Sequence, residues 1–160
     1  MICPSCRKAT MKETTETHRF VESGLKNVVV KGAIVHTCSG CGERSVGFRN
    51  LTGLHRSLAL KLIEKPGRLA GAEIRFLRKS LGWSGADFAR KVHSDPATVS
   101  KWETGRQKMG DRTELLLRAL VALGQKIDDY AEHDLENMAV GSAAPLKVEL
   151  TAHRGTWIAA

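Results

Sequence analysis

The sequence predicts an α+β protein in which a small N-terminal β domain with four cysteines precedes an all-α domain. All four cysteines lie within the first 41 residues, and the residues between them alternate or are β-branched, as is typical of strands. From about residue 50 onward, apolar residues instead recur at helical spacing. With 160 residues, 42% of them hydrophobic, the chain has room for two small domains.

Charge is distributed unevenly along the chain, whose net charge is +8. Residues 1–65 carry 11 Lys and Arg against 5 Asp and Glu, and residues 66–125 carry 11 against 6, whereas residues 126–160 carry 3 against 6. A basic body with an acidic tail suits a polyanionic partner. The N-terminus lacks the pattern of a signal peptide, and no segment approaches the roughly 18 apolar residues of a membrane helix. We therefore expect a soluble cytoplasmic protein that does not associate with membranes.

The cysteines form two Cys-x-x-Cys pairs, Cys3/Cys6 and Cys38/Cys41, separated by 31 residues. In a reducing compartment such pairs are metal ligands more often than disulfides. Two knuckles supply four thiolates, which suits tetrahedral Zn²⁺ and fills every coordination position. We predict one structural zinc ion per chain and no enzymatic activity. A thiol-exchange role is disfavoured, because the βαβ pattern that accompanies such a motif is absent from the sequence.

A hairpin is predicted between the two cysteine pairs. Residues 14–21 form its first strand, Ser23 and Gly24 its turn, and residues 28–30 and 33–35 its return. The hairpin would carry the second pair of cysteines back to the first, which predicts a zinc-ribbon-like domain over residues 1–48. The run 28–30 is also expected to offer a strand edge to another protein.

A connector follows at residues 49–68. Its helix is indicated by Leu51, Leu54, Leu58 and Leu62 at helical spacing, and a short linker follows at residues 64–68. We assign residues 69–139 to the second domain and residues 140–160 to a tail. The tail either forms short strands at 147–150 and 156–158 or is mobile, and residues 127–138 either are a dimer element or pack onto their own domain.

The second domain reads as a helix-turn-helix with a fourth helix added. The first helix contains Ile74, Leu77 and Arg78, and Ser84 is expected to cap the second, in which Phe88 and Ala89 face inward. Asp95 is the predicted cap of the third helix and Pro96 its N1 residue; Val99 and Trp102 are its buried residues, and Gly105 ends it. A fourth helix is indicated by an apolar stripe of Leu115, Leu116, Ala119, Leu120 and Leu123.

The third helix is predicted to read DNA in the major groove. Ala97, Thr98 and Lys101 are the candidates for base contacts, because a lysine can donate to guanine, a threonine can hydrogen-bond a base and an alanine can touch a thymine methyl group. Pro96 and Ser100 complete the DNA-facing set on this helix. Phosphate contacts are assigned to Ser84, Arg106 and Lys108, and Arg90 and Lys91 are either phosphate contacts or an ordinary solvated face. Arg78 is expected to pair with Glu103 as a structural contact.

These features resemble the YgiT-type zinc finger/helix-turn-helix family of MqsA-like antitoxins. The matching stretches, in chain order, are Cys3-Pro4-Ser5-Cys6, Glu22-Ser23-Gly24-Leu25, Val30-Lys31-Gly32, Cys38-Ser39-Gly40-Cys41-Gly42-Glu43, Ile63-Glu64-Lys65-Pro66-Gly67, Glu73-Ile74-Arg75-Phe76-Leu77-Arg78-Lys79 and Asp95-Pro96-Ala97-Thr98-Val99-Ser100-Lys101-Trp102-Glu103. The resemblance implies a zinc-bound N-terminal domain, an Xre-type DNA-binding domain, dimerisation, and a toxin that the protein neutralises and whose operon it represses. His93, Ser94 and Ala97 depart from the family pattern.

Two functions remain open at this stage. In the first, a homodimer represses a palindromic operator and also holds a toxin through the zinc domain, with residues 1–66 sufficient for toxin capture. In the second, the chain is a stand-alone, zinc-stabilised Xre-family transcriptional regulator that has no toxin partner. A neighbouring gene encoding a small basic protein would favour the first.

Overall fold

The computed structural model describes residues 1–125 and 143–159. Its elements, in chain order, are β1 Met11–Arg19, β2 Val28–Cys38, β3 Arg44–Gly47, α1 Leu51–Glu64, α2 Gly71–Ser80, α3 Gly85–Lys91, α4 Pro96–Glu103, α5 Asp111–Gln125, β4 Val148–His153 and β5 Thr156–Ala159. A β region bearing the four cysteines precedes five helices, so the predicted α+β class is confirmed. No helix in the described ranges is both long and apolar enough to cross a membrane.

The strand β2 lies at the centre of a five-stranded sheet. Its first edge pairs with β1, and its second edge pairs with β3 at residues 34–37 and with β4 at residues 28–31. The prediction that residues 28–30 offer a strand edge is therefore wrong, because both sides of this run are already paired. The register shifts where Gly32, at φ +89°, lies opposite no residue of β1, and a side chain there would crowd Ala152.

The C-terminal tail forms strands, one of the two alternatives that the sequence left open. β4 runs parallel to β2, and the β4–β5 hairpin also fastens to the start of α1. There the indole Nε1 of Trp157 donates to the carbonyl of Asn50 at 3.1 Å, and the Asn50 amide donates to the carbonyl of Gly155 at 3.0 Å. Leu150 and Trp157 are buried. The tail thus belongs to the N-terminal sheet.

One hydrophobic core joins the sheet to the helices. It contains Phe20 and Val30 from the sheet, Leu58 from α1, Leu117 from α5 and Trp157 from the tail. The predicted boundaries at residues 48 and 68 therefore do not separate two cores. Around the cysteines there is only a small second cluster formed by Cys3, Met11 and Cys38, with Cys6 and Ala9 packed against it.

The predicted linker at residues 64–68 is held by a buried arginine. The guanidinium of Arg118 donates to the carbonyls of Ile63 at 2.8 Å, Lys65 at 2.9 Å and Gly67 at 2.7 Å, and it also donates to Glu114 at 3.0 Å. Carbonyls at the C-terminal end of a helix have no partner within the helix, so a donor placed there stabilises the helix end. Arg118 therefore fixes the direction in which the chain leaves α1.

Glu73 makes a second buried contact with the linker. Its Oε2 accepts hydrogen bonds from Lys65 Nζ at 2.8 Å and from the Ala70 amide at 2.7 Å, while its Oε1 accepts one from the Leu146 amide at 3.0 Å. Glu73 and Lys65 are both buried, and each pairs with the opposite charge of the other. Either charge would destabilise the fold if it were buried alone. The connector, the first helix of the second domain and the tail meet at this carboxylate.

The predicted apolar stripe on α5 is wrong in orientation. Leu116 and Leu123 are exposed, whereas the side chains that face the core are Glu114, Leu117, Arg118, Val121 and Ala122. The interpretation of an amphipathic pattern assumes that charged residues face solvent. In α5, Glu114 and Arg118 instead face inward and bind the linker, so the buried side of the helix differs from the predicted side. The candidate dimer element at residues 127–138 lies outside the described residues.

Candidate metal centre and nucleic-acid interface

The fold brings the four cysteine sulfurs together. All four Sγ atoms lie within 4.8 Å of one another, with Cys3 and Cys41 3.7 Å apart and Cys6 and Cys38 3.6 Å apart. A tetrahedral site with Zn–S bonds of about 2.3 Å requires sulfurs about 3.8 Å apart. Both measured separations fit a single metal ion bound by four thiolates.

Backbone amides support thiolates at this site. Hydrogen bonds from the backbone of Lys8, and also of Ala9, lower the pKa of Cys6 to about 6. The amides of Cys41 and Gly40 lower the pKa of Cys38 in the same way. Cys41 accepts from the Glu43 amide, which lowers its pKa, but the adjoining Cys38 thiol and burial outweigh this and raise it to about 12. The cluster thus favours some thiolates at neutral pH, and a bound cation would favour the rest.

The helix-turn-helix is formed by α2, α3 and α4. Ser84 caps α3 by accepting from the Asp87 amide at 3.1 Å, and Asp95 caps α4 by accepting from the Thr98 amide at 2.8 Å. Ala89 is buried, and the small side chain suits the close packing of α3 and α4. His93 adopts the left-handed conformation at φ 51°, which the turn requires and which is unusual for a residue other than glycine.

The two sides of α4 differ in the way a recognition helix requires. Val99 and Trp102 are buried against the domain. On the opposite side, Thr98 is half-buried and the remaining predicted DNA-facing residues of this helix are exposed: Pro96, Ala97, Ser100 and Lys101. Arg106 and Lys108, which follow the helix, are also exposed. The sequence-predicted DNA-binding residues of α4 therefore share one accessible surface.

Ser84 fits its predicted phosphate contact poorly. Its hydroxyl donates to the Asp87 carboxylate at 2.7 Å, and hydrogen bonds from the hydroxyl and amide of Ser84 lower the pKa of Asp87. A negative charge beside Ser84 repels a phosphate. Arg90 pairs with the same carboxylate at 2.8 Å, and Lys91 lies over the ring of Trp83. These contacts favour the solvated-face interpretation of Arg90 and Lys91.

The end of the recognition helix is fixed by Arg78. Its Nε and Nη2 donate to the two carboxylate oxygens of Glu103 at 2.5 and 3.1 Å, and its Nη1 donates to the Trp83 carbonyl at 2.6 Å. Arg75 also reaches Glu103, at 3.0 Å, from a more exposed position. The contact predicted for Arg78 and Glu103 is present, with Arg75 as an additional partner that the sequence reading missed.

Gly71 allows a close approach between α2 and α4, which sequence analysis did not single out. A Cβ atom at this position would lie 2.5 Å from the carbonyl oxygen of Glu103 and 2.7 Å from that of Trp102. No side chain fits such a gap unless the backbone moves. A glycine three residues before the first predicted core residue of this helix, Ile74, was the available signal, because glycine is a weak helix former.

Comparison with protein families supports this description of the helices. A family model described as a helix-turn-helix domain matches residues 69–132. Comparisons with curated proteins and with solved structures gave no significant match. The chain thus contains a helix-turn-helix domain, which is typical of DNA-binding transcriptional regulators, and a four-cysteine cluster able to bind a metal ion.

Proposed function

We propose that this protein is a sequence-specific transcriptional repressor of the MqsA-like antitoxin type, stabilised by one structural Zn²⁺ ion per chain. The observation that carries the DNA-binding part is the two-sided α4, with Val99 and Trp102 buried and Lys101 exposed. The resemblance of the cysteine and helix-turn-helix motifs carries the finer assignment. Its site of action is the cytoplasm, where its DNA lies.

Base readout is assigned to the exposed side of α4. Lys101 donates to guanine O6 or N7, Thr98 hydrogen-bonds a base, and Ala97 contacts a thymine methyl group. Pro96 and Ser100 border this surface, and Arg106 and Lys108 bind phosphates. Ser84 is a weak member of the set because of the Asp87 carboxylate beside it.

DNA binding is expected to be dimeric. Helix-turn-helix proteins commonly bind as dimers, whose two recognition helices lie about 34 Å apart and read a palindromic operator. A single α4 of eight residues reaches only a few base pairs, so a second copy supplies the remaining specificity. The net charge of +8 favours association with DNA and makes it strongly salt-dependent.

Zinc is the metal proposed for the cysteine cluster. Four thiolates at tetrahedral spacing are the ligand set of structural zinc sites, and such a set leaves no position for a substrate. The apolar cluster around the cysteines contains few residues, so the metal is expected to hold this part of the chain together.

The toxin-binding surface is proposed to be the outer edge of β1. Among the described strands, β1 pairs only with β2. Its other edge is occupied at Met11, whose amide donates to the Met1 carbonyl at 2.9 Å, and beyond Met11 it presents backbone groups that can extend a partner's sheet. Exposed charged side chains along this strand, among them Lys12, Glu13 and Arg19, oppose pairing with an arbitrary strand and would select a partner of complementary charge.

The DNA-binding proposal is tested by selecting an operator from random duplexes and measuring its affinity at several salt concentrations. A palindromic consensus bound by two chains, with affinity falling steeply as salt rises, is the expected result. Equal affinity for all duplexes would remove sequence-specific repression from the proposal.

The toxin proposal is tested by expressing the adjacent gene product alone and together with the full-length chain. Residues 1–66 are unsuitable, because their core includes side chains from α5 and the tail. We expect toxicity that the full-length chain suppresses, weakened by Lys12→Glu on β1 but not by the matched Lys79→Glu on α2. Absence of both toxicity and capture would favour the alternative, a stand-alone zinc-stabilised Xre-family regulator with no toxin.

A further inference from the structure

The side of α5 that faces away from the core is apolar. Leu116 is 42% exposed and Leu123 is 77% exposed, and Leu120 lies between them half-buried. Spacings of four and three residues place these side chains on one side of the helix, opposite the buried Arg118 and Val121. We call Leu116, Leu120 and Leu123 the leucine stripe.

The leucine stripe has no charged neighbour on the exposed side of its helix. Between Thr113 and Gln125 the only charged residues are Glu114 and Arg118, and both are buried. The exposed side of a surface helix is normally polar or charged. A contiguous apolar surface on a soluble protein marks an interaction site. The stripe is therefore a candidate docking surface for another protein chain.

We propose that the leucine stripe pairs with the leucine stripe of a second copy of this chain when two copies bind one operator. A symmetric dimer brings the same surface of both copies together, so that surface must be complementary to itself. Leucine at all three positions meets leucine in either helix direction, and the spacing is that of helices packed side by side. The exposed side of α5 has no charge between residues 113 and 125 with which to select a foreign partner.

The small size of the leucine stripe indicates that the two copies pair on DNA and not in free solution. A stable interface buries roughly 800 Å² on each partner and involves about 20–30 residues a side, whereas the stripe has three leucines. Two copies held on neighbouring half-sites have a high local concentration, so a weak contact is sufficient to couple them. We therefore expect free monomers that bind the operator cooperatively. This inference rests on the proposed function, because it requires a site with two half-sites.

The leucine stripe is connected to the recognition helix through α2. Both α4 and α5 pack against α2. A Cβ atom at Gly124 would lie 3.2 Å from the side chain of Leu81, the C-cap residue of α2, so the C-terminal part of α5 lies close to that helix. Since Arg78 on α2 also holds Glu103 at the end of α4, paired stripes would fix the distance between the two recognition helices. Cooperativity should therefore depend on the separation of the half-sites.

The test compares binding of the full-length, metal-loaded protein to a half-site duplex and to the full operator. We expect the second copy to bind the operator about 5–150-fold more tightly than the first. Leu123→Glu should abolish this cooperativity and leave half-site affinity equal to that of the matched control, Val21→Glu. Val21 is 59% exposed and lies outside the stripe, so its variant adds the same charge at a comparable exposed apolar position. Leu116→Glu should repeat the effect, and sedimentation of the parent without DNA should show monomers at micromolar concentration.

Equal cooperativity in Leu123→Glu and Val21→Glu would overturn the interface. A parent protein that is already dimeric at micromolar concentration without DNA would overturn assembly on the operator. A melting temperature lowered by Leu123→Glu but not by Val21→Glu would show that the protein's own chain covers the stripe, which also overturns the pairing. Loss of specific half-site binding by the parent would instead contradict the proposed function.

Discussion

Arg78 on α2 holds the carboxylate of Glu103, at the end of α4, by two parallel hydrogen bonds from Nε and Nη2. Both side chains are largely buried. Burial raises the pKa of the Glu103 carboxyl group, but its hydrogen bonds to Arg78 and Arg75 outweigh this effect and lower the pKa. The recognition helix is thus fastened at its C-terminal end, two residues beyond Lys101. Its orientation depends on α2 as well as on its own capping residue.

Arg78→Ala should destabilise the fold strongly, because it leaves the Glu103 charge buried with only one, more exposed partner. Removing one member of a buried ion pair costs about 3–5 kcal/mol. Arg75→Ala is the matched control, since Arg75 contacts the same carboxylate from a half-exposed position and should cost less than about 1 kcal/mol. Urea unfolding of both variants measures the difference. Equal losses would show that burial does not determine the strength of these contacts.

Lys101→Ala should weaken operator binding by about 1–3 kcal/mol and relax base preference at one position, because we propose that its ammonium contacts a base edge. Lys61→Ala on α1, whose lysine pairs with Glu64, is the control and should bind normally. Quantitative footprinting on the selected operator and on single-base variants makes the comparison. If Lys101→Ala binds as tightly as the parent, base readout lies elsewhere on the protein.

Removing the metal should unfold the N-terminal knuckles while the shared core remains folded. The cysteines have only a small apolar cluster of their own, whereas the main core includes side chains from the sheet, the helices and the tail. Elemental analysis should first find one zinc ion per chain. Hydrogen exchange after chelation should then lose protection near Cys3 and Cys38 but not near Leu58. Unchanged protection at the cysteines would mean that the metal is dispensable for this part of the fold.

Trp157→Ala should destabilise the whole protein, because Trp157 packs in the core shared with α1 and the sheet. Truncation of a buried tryptophan costs about 3–5 kcal/mol. The neighbouring Ile158, which is 52% exposed on the same strand, provides the control and should cost less than about 1 kcal/mol when changed to alanine. Thermal melts of the two variants are compared with that of the parent. If both substitutions had a similarly small effect, the tail would not contribute to the stability of the core.

His55 should make stability depend on pH. It stacks on Phe20 with ring centroids 5.7 Å apart, and desolvation by burial lowers its pKa below the usual 6.5. The unfolded chain therefore binds a proton at His55 more readily than the folded chain does. The stability that the neutral His55 contributes is present above pH 6.5 and is lost as the pH falls through the lowered pKa. His55→Gln should flatten the part of the stability profile below pH 6.5, whereas His153→Gln, at an exposed position of β4, should not. Unfolding measured at fixed zinc tests this prediction, and identical slopes for both variants would contradict it.

Local chemistry explains why much of the site could be predicted from the sequence. The Cys-x-x-Cys spacing, the caps Ser84 and Asp95, and the inward positions of Val99 and Trp102 each depend on residues a few positions apart. These relationships do not depend on how the rest of the chain folds.

Non-local contacts explain the errors. The apolar stripe predicted for α5 does not include Arg118 and Glu114, yet both are buried and bind a backbone segment about 50 residues earlier in the chain. The pairing of β4 with β2 likewise joins residues more than 100 positions apart, and hydrophobic periodicity contains no information on such partners. The close contact at Gly71 also requires two helices to be in place.

The parallel pairing of β4 with β2 also bears on the order in which the chain can fold during synthesis. Val28 leaves the ribosome long before Val148, its partner in the sheet, has been translated. The helix-turn-helix, whose contacts are local in sequence, can fold as it emerges, but the sheet cannot be completed until residues 148–159 have been translated. During that interval one side of residues 28–31 is uncovered on the nascent chain. A chaperone or another nascent strand would meet there a hydrophobic edge that the finished protein does not expose.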